Sequence, residues 1–244
     1  MPEGRTESVE RAMAILSAFT AQRPAMTLAE LAEETGLHKS TILRLTNSMA
    51  LFGFIQRDGA GVFSVGPSVW RLGLIFRRDF TRREHVAPAL RILTESTGET
   101  ASFYVRSGNE RVCLYRENSP NLLRFHVEEG MRLRLSTGAS GLVLRYFSGE
   151  DIGDPGQLNP NGTASSVGQT NPNISSIATP VFDAEGRLTG ALTVSGLANR
   201  FDAEARARAI PLLESLARSL SAGPGQVSPG RTPAPPLAGG RAGG

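Results

Sequence analysis

Residues 27–57 read TLAELAEETGLHKSTILRLTNSMALFGFIQR, and this stretch decides the fold of the first third of the chain. Thr27 stands three residues before Glu30, the spacing of a capping box, with Leu28, Leu31 and Ala32 following on one side. The helix it opens is short, because Gly36 supplies a left-handed stop and Leu37 the apolar contact that follows such stops. A second helix is predicted from 38 to about 51, with Ile42, Leu45 and Met49 on one face and Ser40, Arg44 and Asn47 on the other. Two helices joined by a tight glycine turn, the second polar and basic outside, make a helix-turn-helix. Apolar spacing alone fits any helical hairpin equally well, so the polar face has to separate the two readings. No acid occurs from 35 to 57, Lys39 stands beside the hydroxyls of Ser40 and Thr41, and Arg44 lies one turn in. N–H groups and hydroxyls at a helix start suit a phosphate, and an arginine one turn on reaches a guanine edge. His38 belongs to the turn, where a phosphate is also within reach.

Upstream, Val9, Ala12, Met13, Leu16 and Phe19 recur at helical spacing and predict a first helix with one apolar face. Downstream, 54–57 and 62–65 read as strands around Asp58-Gly59-Ala60-Gly61, a hairpin directly after a recognition helix and therefore a wing. Arg57 is then either a wing contact to backbone phosphate or a solvated strand end. From 67 to about 80 another helix is predicted, apolar at Val69, Leu72, Ile75 and Phe76 and polar at Arg71, Arg77 and Arg78. Trp70, the single tryptophan, reads as ordinary packing, with a dimer interface as the alternative.

The rest of the chain mixes elements without regular alternation. A helix runs from Glu84 through Val86, Leu90, Ile92 and Leu93 to Gly98, and strands at 101–105 and 112–115 flank Ser107-Gly108-Asn109. A strand at 122–127, a glycine-rich corner and a helix starting near Ala139 follow. Strands at 174–182 and 188–194 enclose the turn 183–186, and Asp202 caps a last helix to about Ser219, kinked or restarted at Pro211. This order predicts an α+β domain, an antiparallel sheet with helices packed on it. The interval 148–173, rich in Gly, Pro and Asn, reads as turns and loops, and 223–244 as a flexible tail.

With 244 residues, 40% hydrophobic and 20% charged, the chain has room for one large or two ordinary globular domains. One cysteine, Cys113, closes no intramolecular disulfide and builds no cysteine zinc site, which fits a reducing compartment. No signal-peptide core and no run of about 18 apolar residues is present, so a cytoplasmic protein without a membrane partner is expected. His38, His85 and His126 lack metal-ligand spacing, and neither a P-loop nor a dinucleotide fingerprint occurs, so no metal or cofactor is expected. A thiol hydrolase could be drawn from Cys113, His126 and a carboxylate, but Cys113 falls in an apolar strand without a nucleophile elbow, and no enzyme is expected.

The runs ESVERAMAILSAF (7–19), MTLAELAEETGLHKSTILRLTNSMALFGFIQRD (26–58) and VFSVGPSVWRLG (62–73) resemble the winged helix-turn-helix domain of the IclR family of bacterial transcriptional regulators. ERVCLYRENSP, TGASGLVL and SSIATPVFDAEGRLTGALTVSG are similar, in order, to its C-terminal effector-binding domain. The resemblance implies a two-domain α+β chain. It comprises a winged helix-turn-helix at 1–66, a linker helix at 67–82, a GAF-like antiparallel sheet with packed helices at 83–222 and a disordered tail at 223–244. It places Arg11, Lys39, Ser40, Thr41 and Arg44 on a double-stranded DNA operator read by a homodimer or tetramer. Thr27, His38, Asn47 and Arg57 complete the DNA-binding candidates. It further implies a small organic acid effector, with Gly138, Ala139, Ser140, Ser176, Ile177, Ala178 and Ser195 as candidates to hold it. N–H groups near Gly138 and Ala139 suit a carboxylate, whereas on the residues alone the glycines simply turn a corner and the serines cap or face solvent.

At 148–173 the chain departs from the family, which there supplies further helical segments and an acidic, glycine-containing loop over the effector. Three readings follow. The first is an effector-responsive regulator; the second is a regulator that has lost small-molecule binding and acts constitutively or through a protein partner; the last in order is a Cys113-dependent enzyme or sensor.

Overall fold

A computed structural model describes residues 6–79, 83–124 and 127–222. His126 and the tail at 223–244 lie outside the described residues. The chain divides into two compact units, 1–81 and 82–244.

The first unit runs α1 (Glu7–Ser17), β1 (Ala25–Met26), α2 (Leu28–Thr35), α3 (Lys39–Leu51), β2 (Ile55–Arg57), β3 (Phe63–Val65) and α4 (Pro67–Asp79). The capping box forms: Glu30 N–H donates to the Thr27 hydroxyl at 3.3 Å and Thr27 N–H to the Glu30 carboxylate at 2.7 Å. These bonds hold the Glu30 carboxyl below its ordinary range. Gly36 ends α2 at φ 67° and donates its N–H to Ala32, so the turn into α3 needs a residue free of the Cβ penalty. Ile15, Met26, Leu31, Ile42, Leu45, Met49, Ile55 and Phe63 form one core shared by helices and wing. Two features differ from expectation. β1 pairs Met26 with Phe63 and completes a sheet of order β1-β3-β2, a two-residue strand too short to carry a pattern. In α1, Ile15 turns inward and leaves Val9 and Met13 more than half exposed. Along α4 no side chain of described burial is buried, and Trp70 is 68% exposed.

The second unit runs α5 (Arg83–Thr97), β4 (Thr100–Ser107), β5 (Glu110–Glu117), β6 (Arg132–Arg134), α6 (Ala139–Phe147), β7 (Ala164–Val167), β8 (Ile174–Phe182), β9 (Leu188–Leu197) and α7 (Ala203–Ala222). The strands form one antiparallel sheet of order β6-β5-β4-β9-β8-β7. Alternation gives the sheet two unlike faces. One carries Phe103, Tyr115, Ile177, Val181, Leu192 and Val194 against Leu90 and Leu93 of α5 and Leu213 of α7. The other carries Tyr104, Cys113, Ala178 and Ala191 beneath Ala139, Val143 and Leu144 of α6.

Several expectations change here. Of the strand expected at 122–127, Leu122 and Leu123 lie in a bend, Leu122 96% exposed, and Val127 is buried outside any strand; the outer strand is β6, whose Leu133 packs inward. The 148–173 interval holds β7, whose Ala-Ser-Ser-Val sequence alternates in burial but carries too few apolar residues to signal a strand. Ile92 lies on the solvent side of α5. The helix does not restart at Pro211, since α7 continues through it with Ala209, Leu213 and Ala217 buried. Segment 159–163 is tied to α7 by the buried Glu214 carboxylate, which accepts from Asn159 Nδ2 at 2.8 Å, Asn161 Nδ2 at 2.7 Å and the Thr163 hydroxyl at 2.7 Å.

Candidate functional site

In the first unit the chemistry gathers on α3. Its N-cap, His38, makes no side-chain hydrogen bond to the helix start. His38, Lys39, Ser40, Arg44 and Asn47 are exposed and Thr41 half-buried, while Ile42, Leu45, Thr46 and Met49 fill the core behind them. Neither Lys39 nor Arg44 has an ion-pair partner among the described residues. The remaining three candidates are occupied in their own elements. Arg11 pairs with Glu7 on α1, and the Thr27 hydroxyl donates to the Glu30 carboxylate at 2.7 Å within the cap. Arg57 bends back over its own wing, Nε donating to the Gly61 carbonyl at 3.3 Å and the guanidinium lying 5.0 Å from the Phe63 ring centre. That stacking fixes the wing turn, a role which the sequence reading did not include.

In the second unit a pocket opens on the α6 face, lined by Tyr104, Arg111, Gly138, Ser140, Thr170, Ile174, Ser176, Thr193 and Ser195 among others. Gly138, Ser140, Ser176 and Ser195 were expected there; Ile177 is a correction, since it points to the opposite face, and Ala139 and Ala178 pack in the core beneath α6. A one-residue step along β8 decides the matter, because neighbouring strand residues face opposite ways. The free space is about 30 Å³, room for one or two waters. Two N–H groups at the start of α6 are already taken: Gly138 donates to Gln169 Oε1 and Ala139 to the Ser166 hydroxyl, both at 2.9 Å.

Arg111 lines this pocket and was not among the expected residues. It is 3% exposed and donates to the backbone carbonyls of Arg134 and Thr137, while its Nε is without a partner among the described residues. Burial lowers its pKa from the ordinary arginine value, although arginine keeps its charge in proteins. The signal was alternation: Arg111 sits two residues before the buried Cys113, on the same side of β5. Thr193 Oγ1, in the pocket wall and on the residue paired with Ser102 across β4 and β9, is also buried without a hydrogen-bond partner among the described residues. Cys113 is fully buried, and burial pushes its thiol up to about 11, so at pH 7 it is no thiolate nucleophile.

An exposed, acid-free helix with a wing, followed by an antiparallel-sheet unit holding a polar pocket, is an arrangement suited to a DNA-binding transcriptional regulator. The family model for the IclR helix-turn-helix domain matches residues 8–59, and that for the bacterial transcriptional regulator IclR C-terminal domain matches 157–222. Over these two segments the chain is similar to IclR-family regulators. It is 28% identical to the transcriptional regulator BhcR of Paracoccus denitrificans, over 90% of this chain and 88% of that one. To the regulator KipR of Bacillus subtilis it is 24% identical, over 82% and 89%. Among solved structures, an IclR-type regulator from Silicibacter sp. TM1040 shares the fold at TM-score 0.71, with 24% identity over 88% of this chain and 94% of that one. An IclR homologue from Microbacterium hydrocarbonoxydans, complexed with 4-hydroxybenzoate, does so at TM-score 0.70, with 20% identity over 88% and 98%. No described helix is long and apolar enough to cross a membrane.

Proposed function

We propose that the second unit is a sensor for a small organic acid and that its occupancy changes how tightly the first unit holds its operator. The observation that carries this is the pocket at the start of α6, whose wall holds a buried arginine and a buried threonine hydroxyl with unsatisfied donors. The Microbacterium relative with 4-hydroxybenzoate supports the same chemistry. His38, Lys39, Ser40, Thr41, Arg44 and Asn47 then form the DNA-contacting face, with Lys39 on phosphate and Arg44 on a base edge. Coupling requires the effector to bind one DNA-affinity state better than the other. Val69, Trp70, Leu72, Leu74 and Ile75 are each more than a third exposed on α4. A homodimer covers this apolar helix and presents two recognition helices to a two-fold operator.

The test is thermal denaturation of the full chain with a panel of aromatic and short-chain carboxylates, since a ligand of the folded state raises its stability by mass action. Hits then go into operator footprinting at fixed salt. A carboxylate that shifts both melting and protection establishes the sensor. The competing reading, a regulator indifferent to small molecules, is favoured by the filled N–H groups and the small free space, and gives protection that no carboxylate alters.

A further inference from the structure

Resting on the sensor reading above, we propose that Arg111 is the residue that recognises the effector's charge, and that segment 168–173 is a built-in plug which the ligand carboxylate displaces. Gln169 and Thr170 occupy, with neutral oxygens, the donors that the carboxylate takes.

Two positive sources meet at one point. The guanidinium lies against the first turn of α6: a Cβ at Gly138 would come 3.3 Å from Arg111 Nη2, and one at Gly141 would come 3.1 Å from Nη1. The glycines of TGASG therefore let the cation approach the positive end of the helix. No carboxylate among the described residues pairs with it. The cation is held by two backbone carbonyls, a long contact to the Thr170 hydroxyl and the face of the Tyr104 ring, whose centre lies 5.6 Å away, and its removal from water is offset once an anion arrives.

What fills the site has the shape of a carboxylate without its charge. The planar Gln169 amide puts Oε1 on Gly138 N–H at 2.9 Å, and the Thr170 hydroxyl accepts weakly from Arg111 Nη2 at 3.5 Å. Charge-assisted hydrogen bonds are about twice as strong as neutral ones, so a carboxylate on these donors outcompetes the amide. Gln169 and Thr170 are themselves exposed, on the turn between β7 and β8, so their departure bares no core. It also enlarges a space that now admits only water. Thr193 Oγ1, left without a partner in the same wall, receives a second hydrogen-bonding group. The ligand class is a small carboxylate carrying one further polar group.

The test needs no knowledge of the effector, because Gln169→Glu builds the carboxylate in. In the full chain at pH 7 this variant is expected to melt about 2–4 °C higher than wild type, the shift of roughly 1 kcal/mol in a chain of this size. The gain should disappear beside Arg111→Gln and persist beside Arg111→Lys, which keeps the charge if the neutral variant folds poorly. A gain that is absent, or that survives Arg111→Gln, overturns the assignment. In parallel, 4-hydroxybenzoate and benzoate are titrated into wild type and Gln169→Ala. At least fivefold tighter binding to the unplugged variant supports the plug, and equal binding overturns it. An Arg111-dependent gain with no response to any carboxylate of the panel would sink the sensor reading alone, leaving an anion site that serves another purpose.

Discussion

α3 and α6 both begin without a cap from their own N-cap residue, and their surroundings make them opposites. α3 starts at the surface, beside exposed Lys39, Ser40 and Arg44. α6 starts in the interior, with its first N–H groups closed by Gln169 and Ser166 from a distant segment and a buried arginine alongside. An open helix start among exposed cations suits a polymer of phosphates, where contacts are many, individually weak and screened by salt. An enclosed one with a fixed cation suits a single small anion, where one contact is worth more and shape decides.

The largest effect should come from breaking the enclosed start. Gly141→Ala pushes a Cβ into the Leu135 carbonyl oxygen and towards Arg111, and is expected to destabilise the second unit by about 1–3 kcal/mol. Calorimetry should show that transition lowered and the first unit's unchanged; wild-type melting would mean that α6 begins more loosely than its geometry implies. At the open start, Arg44→Ala should cost about 1–3 kcal/mol at one operator position and relax specificity there. Lys39→Ala should weaken binding to every sequence alike and flatten the logarithmic salt slope by about 1, read by fluorescence anisotropy across a salt series. If both variants bind like wild type, α3 is not the reading helix.

Thr27→Ala separates a cap from a contact. Loss of the capping box should cost the first unit about 1 kcal/mol with unchanged DNA affinity of the folded protein; weaker binding at full stability would put the hydroxyl on DNA. The smallest effect concerns Cys113. Its folded pKa of about 11 lies above the value of roughly 8.5 for a free thiol, so this group's contribution to stability is whole below pH 8.5 and is lost as pH rises towards 11. At pH 8 a thiol reagent should modify it only at the rate of unfolding.

Much of this was legible because the deciding signals are local. The capping box, the Gly36 stop and the faces of α3 each lie within a few residues of one another, and every one of them forms. The pairs β4 with β5 and β8 with β9 were readable for the same reason, as hairpins around short turns. What escaped depends on residues far apart in the chain. Arg111 meets Thr137 and Thr170, 26 and 59 positions away, and nothing beside it in sequence announces that company. Ile177 was misplaced because face assignment along a strand needs a register, which only its partners supply. β1 and β7 exist through pairing with longer neighbours rather than through any pattern of their own.

The six-stranded sheet also ends abruptly. Its outer strands, β6 and β7, have three and four residues, against eight to ten for the four between them. β6 carries Arg132 and Arg134 on either side of Leu133. A long bare edge is a template on which other chains add strands, and short or charged edges frustrate that growth. The folded protein should therefore resist aggregation at high concentration, and a substitution that lengthens β7 would erode that resistance.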